Sequence, residues 1–141
     1  MNGLVERREI SLQLALDLLS RVREEAAARE LSLAVAVVDP AGHVVASQRM
    51  DGAALGAMQL AIGKAYTSVL WGTPTGDFMG TTQPGGDDWG WNVTDRRIVV
   101  YPGGLPLFAD GELVGGVGAS GGAAADDADC VLASVRSLEF D

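Results

Sequence analysis

Apolar positions recur along the chain with two periods. From Ser11 to about Arg29, Leu12, Ala15, Leu16, Leu19, Val22 and Ala26 return at steps of three and four. That spacing predicts an amphipathic helix, with Ser11 suited to its N-cap. Leu31 to Asp39 switches to period two, with Leu31, Leu33, Val35 and Val37 on one face. Ala34, Ala36 and Val38 make the second face apolar as well, as in a strand covered on both sides. Asp39-Pro40-Ala41-Gly42 reads as a turn. Asp can bond the backbone at its first position, Pro presets φ at the second, and Gly suits the fourth. His43 to Gln48 is the return strand.

A second helix is predicted from about Ala53 to Leu70, with Ala54, Met58, Ala61, Ile62, Ala65 and Val69 in one stripe. Lys64 falls about 120° from the stripe centre, where its stem can snorkel to water. Trp71 to Arg97 carries no period, yet it holds all three tryptophans, Trp71, Trp89 and Trp91. Loops beyond about 12–15 residues are uncommon in compact domains unless they are functional or disordered. Burying one large aromatic is worth roughly 1.5–3 kcal/mol, so this loop is expected to fold back. Trp89 and Trp91 then pack near the hairpin that follows or at a subunit contact. Asp87 and Asp88 would stand at the mouth of a cavity that Lys64 or Arg49 reaches.

Ile98 to Tyr101 reads as a short strand, broken by Pro102-Gly103-Gly104. Two further apolar runs flank Asp110-Gly111, a strong hairpin signal because a type I′ turn needs positive φ at both central residues. The second run, Glu112 to Ala119, carries Gly115, Gly116 and Gly118. Glycines weaken a strand, so they mark a close approach by a helix, a neighbouring subunit or a ligand. The last helix starts near Ala125, with Ala128, Val131, Leu132, Val135 and Leu138 as its stripe. Asp126, Asp127 and Asp129 sit in its first turn, where carboxylates suit the helix dipole. Cys130 falls off the stripe, toward solvent or a partner. The order helix, two strands, helix, long loop, three strands, helix predicts one α+β domain over residues 1–141, with a mainly antiparallel sheet.

Composition narrows the function classes. The 141 residues carry a formal net charge of −9 and no Lys/Arg cluster, which argues against nucleic acid and anionic membranes as partners. A hydrophobic content of 48% argues against a disordered chain. One cysteine excludes an internal disulfide, and one histidine, His43, excludes a multi-histidine metal site within a subunit. Met1 to Glu9 lacks an apolar signal-peptide core, and no run approaches the roughly 20 apolar residues of a membrane helix, so a cytoplasmic location is expected.

Three local motifs match and then fail. Gly116 to Gly121 fits G-x-G-x-x-G, but no second strand follows to complete a dinucleotide-binding unit. Gly118 to Gly122 fits G-x-S-x-G, but no histidine follows Ser120. Asn92-Val93-Thr94 fits a glycosylation sequon that carries little meaning without a signal peptide.

A wider combination is more specific. It comprises Asp39-Pro40-Ala41-Gly42-His43, Arg49-Met50-Asp51-Gly52-Ala53, Ala61 to Ala65 with Lys64, and Thr73-Pro74-Thr75. It continues with Gly103-Gly104-Leu105-Pro106, Asp110 to Gly115 and Gly118-Ala119-Ser120-Gly121. From about Ile10 to Leu138 the chain resembles the GlcG/HbpS family of haem-binding-like proteins, relatives of the PduO C-terminal domain. The resemblance implies a profilin-like or PAS-like fold with a five-stranded antiparallel sheet. It also implies homo-oligomers from dimer to octamer, and a haem- or corrinoid-related role for some members. The acidic, tryptophan-rich stretch Gly85 to Asn92 departs from the family pattern.

Three functions stay open. The first is a homo-oligomer that binds haem or another tetrapyrrole, with His43, Cys130, Tyr66 and Tyr101 as the available iron donors. The second is a cofactor-independent enzyme of isomerase, cyclase or dehydratase type in a catabolic or biosynthetic pathway. Proton transfer there falls to Lys64, Asp51 and Asp88, and the ligand to Arg49, Trp89, Trp91, Tyr101, Gly103 and Gly104. The third is a structural accessory subunit whose tryptophan loop is an interface.

Overall fold

The structure is a computed structural model that describes residues Met1–Asp141. Helix α1 (Leu12–Ala28) is followed by strands β1 (Ala34–Val38) and β2 (Val44–Arg49), then by helix α2 (Ala57–Leu70). A single 3-10 turn (Thr75–Phe78) and the one-turn helix α3 (Trp91–Thr94) punctuate the long loop. Strands β3 (Gly104–Ala109) and β4 (Glu112–Ser120) and helix α4 (Ala124–Ser137) complete the chain. No helix is long and apolar enough to cross a membrane.

The sheet is antiparallel throughout, in the order β2-β1-β4-β3. It has four strands, which corrects the expected five. Ile98 to Tyr101 joins no ladder. Its backbone is satisfied by side chains instead: Val99 N donates to Thr67 Oγ1 at 2.9 Å, and Tyr101 O accepts from Thr75 Oγ1 at 2.7 Å. Pro102 then has no N–H with which to extend a ladder.

Every residue of β1 is buried, as its two apolar faces require. Val35 and Val37 join the larger core with α1 and α4, while Ala34 and Ala36 meet Ala57 and Ala61 of α2. The sheet is therefore covered on both faces. Asp110 and Gly111 have φ of 52° and 76°, the two positive angles that the hairpin turn demands.

The close approach at Gly116 and Gly118 of β4 is made by α2, while Gly115 faces Ile10 and Val38 O. A Cβ on Gly116 would lie 2.6 Å from Ser68 Oγ and 2.9 Å from Ala65 O. The helix backbone rests on the bare strand.

Two helix faces are rotated from expectation. On α1 the buried residues are Ala15, Leu18, Leu19, Val22 and Ala26, while Leu12 and Leu16 are exposed. Leu16 lies about 100° from the centre of that face. Ser11 caps the helix as expected, accepting from Leu14 N at 3.1 Å. On α4 the buried residues are Asp127, Cys130, Val131, Ser134 and Val135. Cys130 is thus a core residue, its thiol 3.6 Å from Val22 O, and not a surface or partner residue.

Candidate functional site

The outward face of α2 carries Gln59, Leu60, Ile62, Gly63 and Tyr66, and the segment 95–101 runs beside it. Gly63 makes that closeness feasible. A Cβ there would meet Arg97 O at 3.0 Å and the Val99 side chain closer still. Between helix and segment lie two hollows of about 280 and 360 Å³. Leu60 and Val99 line both, so they form one groove. Arg96 and Arg97 stand in the first hollow with Tyr66. Tyr101 and Trp89 stand in the second with Ile98 and Val100.

A compact polar knot holds the first hollow. Tyr66 donates its hydroxyl to Asp95 Oδ2 at 2.5 Å. Arg97 donates to both Asp95 oxygens, at 3.0 and 2.9 Å, and its guanidinium carbon lies 4.2 Å from the Tyr66 ring centroid. The Arg97 guanidinium, and after it the Tyr66 hydroxyl, hold the Asp95 carboxyl well below the usual carboxylate range. Desolvation and then the bond to Asp95 push the Tyr66 phenol up. These three residues form a fixed floor, which leaves Arg96 without an ion-pair partner.

Lys64 does not snorkel to water. It is 2% exposed, and its ammonium donates to Ala119 O at 2.8 Å and to Asp127 Oδ2 at 3.3 Å. Asp127 is 1% exposed and also accepts from Gly122 N at 2.9 Å. Desolvation lowers the Lys64 pKa, and Asp127 opposes that shift. Gly103, at φ 126°, leaves room for the ammonium, since a Cβ there would lie 2.8 Å from Lys64 Nζ. Gly104 N donates to Thr75 Oγ1 at 2.9 Å, so both glycines brace the chain around Lys64.

The remaining expected site residues are spread over the surface. Arg49 and Asp51 line an open hollow with Arg23 and Met50. Asp88 lines a hollow of about 200 Å³ with Trp71, Phe78 and Trp91. Trp91 packs on those two rings, whereas Trp89 is 64% exposed. The expected cavity joining Asp87 or Asp88 to Lys64 or Arg49 is not formed, because Lys64 is sealed beside Asp127. Lys64, Asp51 and Asp88 therefore occupy three separate places within one chain. The His43 imidazole is 81% exposed, 3.5 Å from Asp39 at its turn, and directly follows Gly42, which lines the α2 groove. Asp95, Arg96, Arg97 and Asp127 were not singled out as site residues from the sequence. The charged triplet Asp95-Arg96-Arg97 at the end of a long apolar-poor loop was the available signal.

Comparison with known proteins places this geometry among relatives. An uncharacterized 15.0 kDa protein of the dhaT–dhaS intergenic region of Citrobacter freundii is 37% identical over 106 residues, 73% of this chain and 75% of that protein. The corrinoid adenosyltransferase PduO of Salmonella typhimurium is 32% identical over 116 residues, 82% of this chain. This chain spans only 34% of that enzyme's length. Among solved structures, the PduOC:heme complex superposes with a TM-score of 0.90 at 29% identity, covering 94% of this chain and 97% of that one. The family model described as "Haem degrading protein HbpS-like" matches residues 10–136, and the chain belongs to this HbpS-like family.

Proposed function

We propose that the chain binds a haem-class tetrapyrrole in the groove between α2 and the segment 95–101. The observation that carries this reading is the groove's lining. Leu60, Ile62, Val99 and Val100 supply apolar wall, Arg96 supplies an unpaired guanidinium at one end beside the Asp95–Arg97 pair, and Tyr101 supplies a phenol at the other. A tetrapyrrole is a flat apolar disc with carboxylate arms. Apolar walls suit the disc, guanidinium forks suit the carboxylates, and a phenol oxygen is a known type of haem iron ligand. Of the other donors, Tyr66 is committed to Asp95 and Cys130 is sealed in the core. His43, beside Gly42 at the arginine end, is the second candidate. Haem bound here would supply a redox-active iron. The haem complex of the solved relative supports this ligand class.

Haemin titration of the purified protein tests the reading. A saturable, stoichiometric Soret shift is expected, weakened in Arg96→Ala. Loss of the shift in Tyr101→Phe or in His43→Ala identifies the iron ligand. A shift that never saturates, and is no stronger than with an unrelated acidic protein, removes haem.

The same reading includes self-association. Leu60, Trp89, Val93 and Tyr101 are large apolar or aromatic residues left exposed on one chain, which supports a homo-oligomer. Light scattering at micromolar concentration is expected to give at least twice the chain mass, and a clean monomer would count against it.

A further inference from the structure

The hollow walled by Trp71, Phe78, Trp91 and Asp88 shares no lining residue with the α2 groove. We propose that it is a second site, one that binds a small organic cation with a methylated ammonium head. Its walls are three aromatic rings. Trp71 and Trp91 lie 4.6 Å apart between centroids, Phe78 and Trp91 4.9 Å, and Trp71 and Phe78 6.4 Å. The rings are inclined at 65–69° to one another, so the hollow has walls in different orientations and not a flat stack. Ring faces carry the negative lobe of the π quadrupole, and cations are drawn to them.

The fourth lining residue, Asp88, is acidic. The Asp88 side chain accepts no hydrogen bond and pairs with no cation of the chain, and no Lys or Arg lines the hollow. Asp88 is exposed, so its carboxylate stands at the rim of the hollow, beside the rings and open to a ligand. Main-chain hydrogen bonds hold the Asp88 backbone beside the rings. Asp88 N donates to Thr81 O at 3.0 Å, and Trp91 N donates to Asp88 O at 3.0 Å. Thr82 N and Thr82 Oγ1 both donate to Phe78 O, at 3.1 and 2.7 Å, which joins the two sides of the hollow. The volume of about 200 Å³ admits a trimethylammonium head with a short tail. A net charge of −9 raises the local concentration of any cation.

Choline chloride is the probe, and 3,3-dimethylbutan-1-ol, in which carbon replaces the charged nitrogen, is its neutral counterpart. Binding is read from the indole N–H resonances of Trp71 and Trp91 in heteronuclear NMR spectra. Choline is expected to shift both indoles saturably, with affinity roughly tenfold above that of the alcohol. Asp88→Asn removes the charge from an exposed position and leaves the rings untouched. It should weaken choline roughly five- to tenfold and leave the alcohol unchanged. Trp91→Ala should abolish binding, but it can also loosen the loop, so Asp88→Asn and the alcohol decide. Equal affinity for choline and the alcohol, undiminished choline binding by Asp88→Asn, or indoles that do not respond would each overturn the proposal.

Discussion

Lys64 and Asp127 show how much one residue can depend on its partner. Both are buried, and neither charge has water to fall back on. Removing one leaves the other desolvated and uncompensated, a loss of about 3–5 kcal/mol for buried pairs of this kind. Lys64→Met and Asp127→Leu are each expected to destabilise by that order in urea unfolding. The double variant should recover much of the loss, because packed apolar groups replace the pair. Additive losses would show that the two do not interact. Cys130 gives a pH test of the core. Burial pushes its thiol up to about 11, while an unfolded thiol titrates near about 8.5. The folded form disfavours the thiolate, so the buried thiol's contribution is full below about pH 8.5 and is lost as pH rises toward 11. A thiol reagent at pH 8 is expected to leave the native protein unmodified and to react promptly in urea. Prompt reaction without urea would contradict the burial.

The contact between β4 and α2 is decided at the level of whole elements. Gly116 and Gly118 face the helix, and a Cβ on Gly118 would lie 2.5 Å from Ala65 N. Backbone cannot yield as a side-chain end can. Gly118→Ala is therefore expected to lower stability by roughly 1–3 kcal/mol in thermal unfolding. Gly80→Ala, where nothing lies within 4 Å, is expected to stay within about 0.5 kcal/mol of wild type. This glycine pattern was legible in the sequence as a close approach, though not as an approach by α2. The hairpin at Asp110-Gly111 and the two-sided burial of β1 were legible because local φ demands and period two decide them. The face of α4 was not, since Asp127 reads as a solvent position until Lys64 is seen beside it, and Ser134 until its hydroxyl is seen to donate to Cys130 O. The status of Ile98 to Tyr101 was also hidden. Its bonds run to Thr67 and Thr75, at 32 and 26 residues' distance, and no local pattern reports such partners.

Across the whole molecule, the candidate site was only partly legible. Tyr101, Trp89 and the long loop were recognised as candidates, and they line one hollow of the groove. The knot of Tyr66, Asp95 and Arg97 was not, because the sequence separates Tyr66 from Asp95 by 29 residues. The ion pair of Lys64 and Asp127 has a further consequence at this scale. Helix α2 covers one face of the sheet and α4 the other, and the pair meets around the end of β4. Neither layer can peel from the sheet without stranding a charge, so the two layers open together. Native-state hydrogen exchange should therefore find the amides of α2, β4 and α4 in one cooperative unit that exchanges at the global unfolding free energy. With Lys64 and Asp127 both replaced by apolar residues, the layers lose that bond, and α4 becomes free to exchange through an opening of its own.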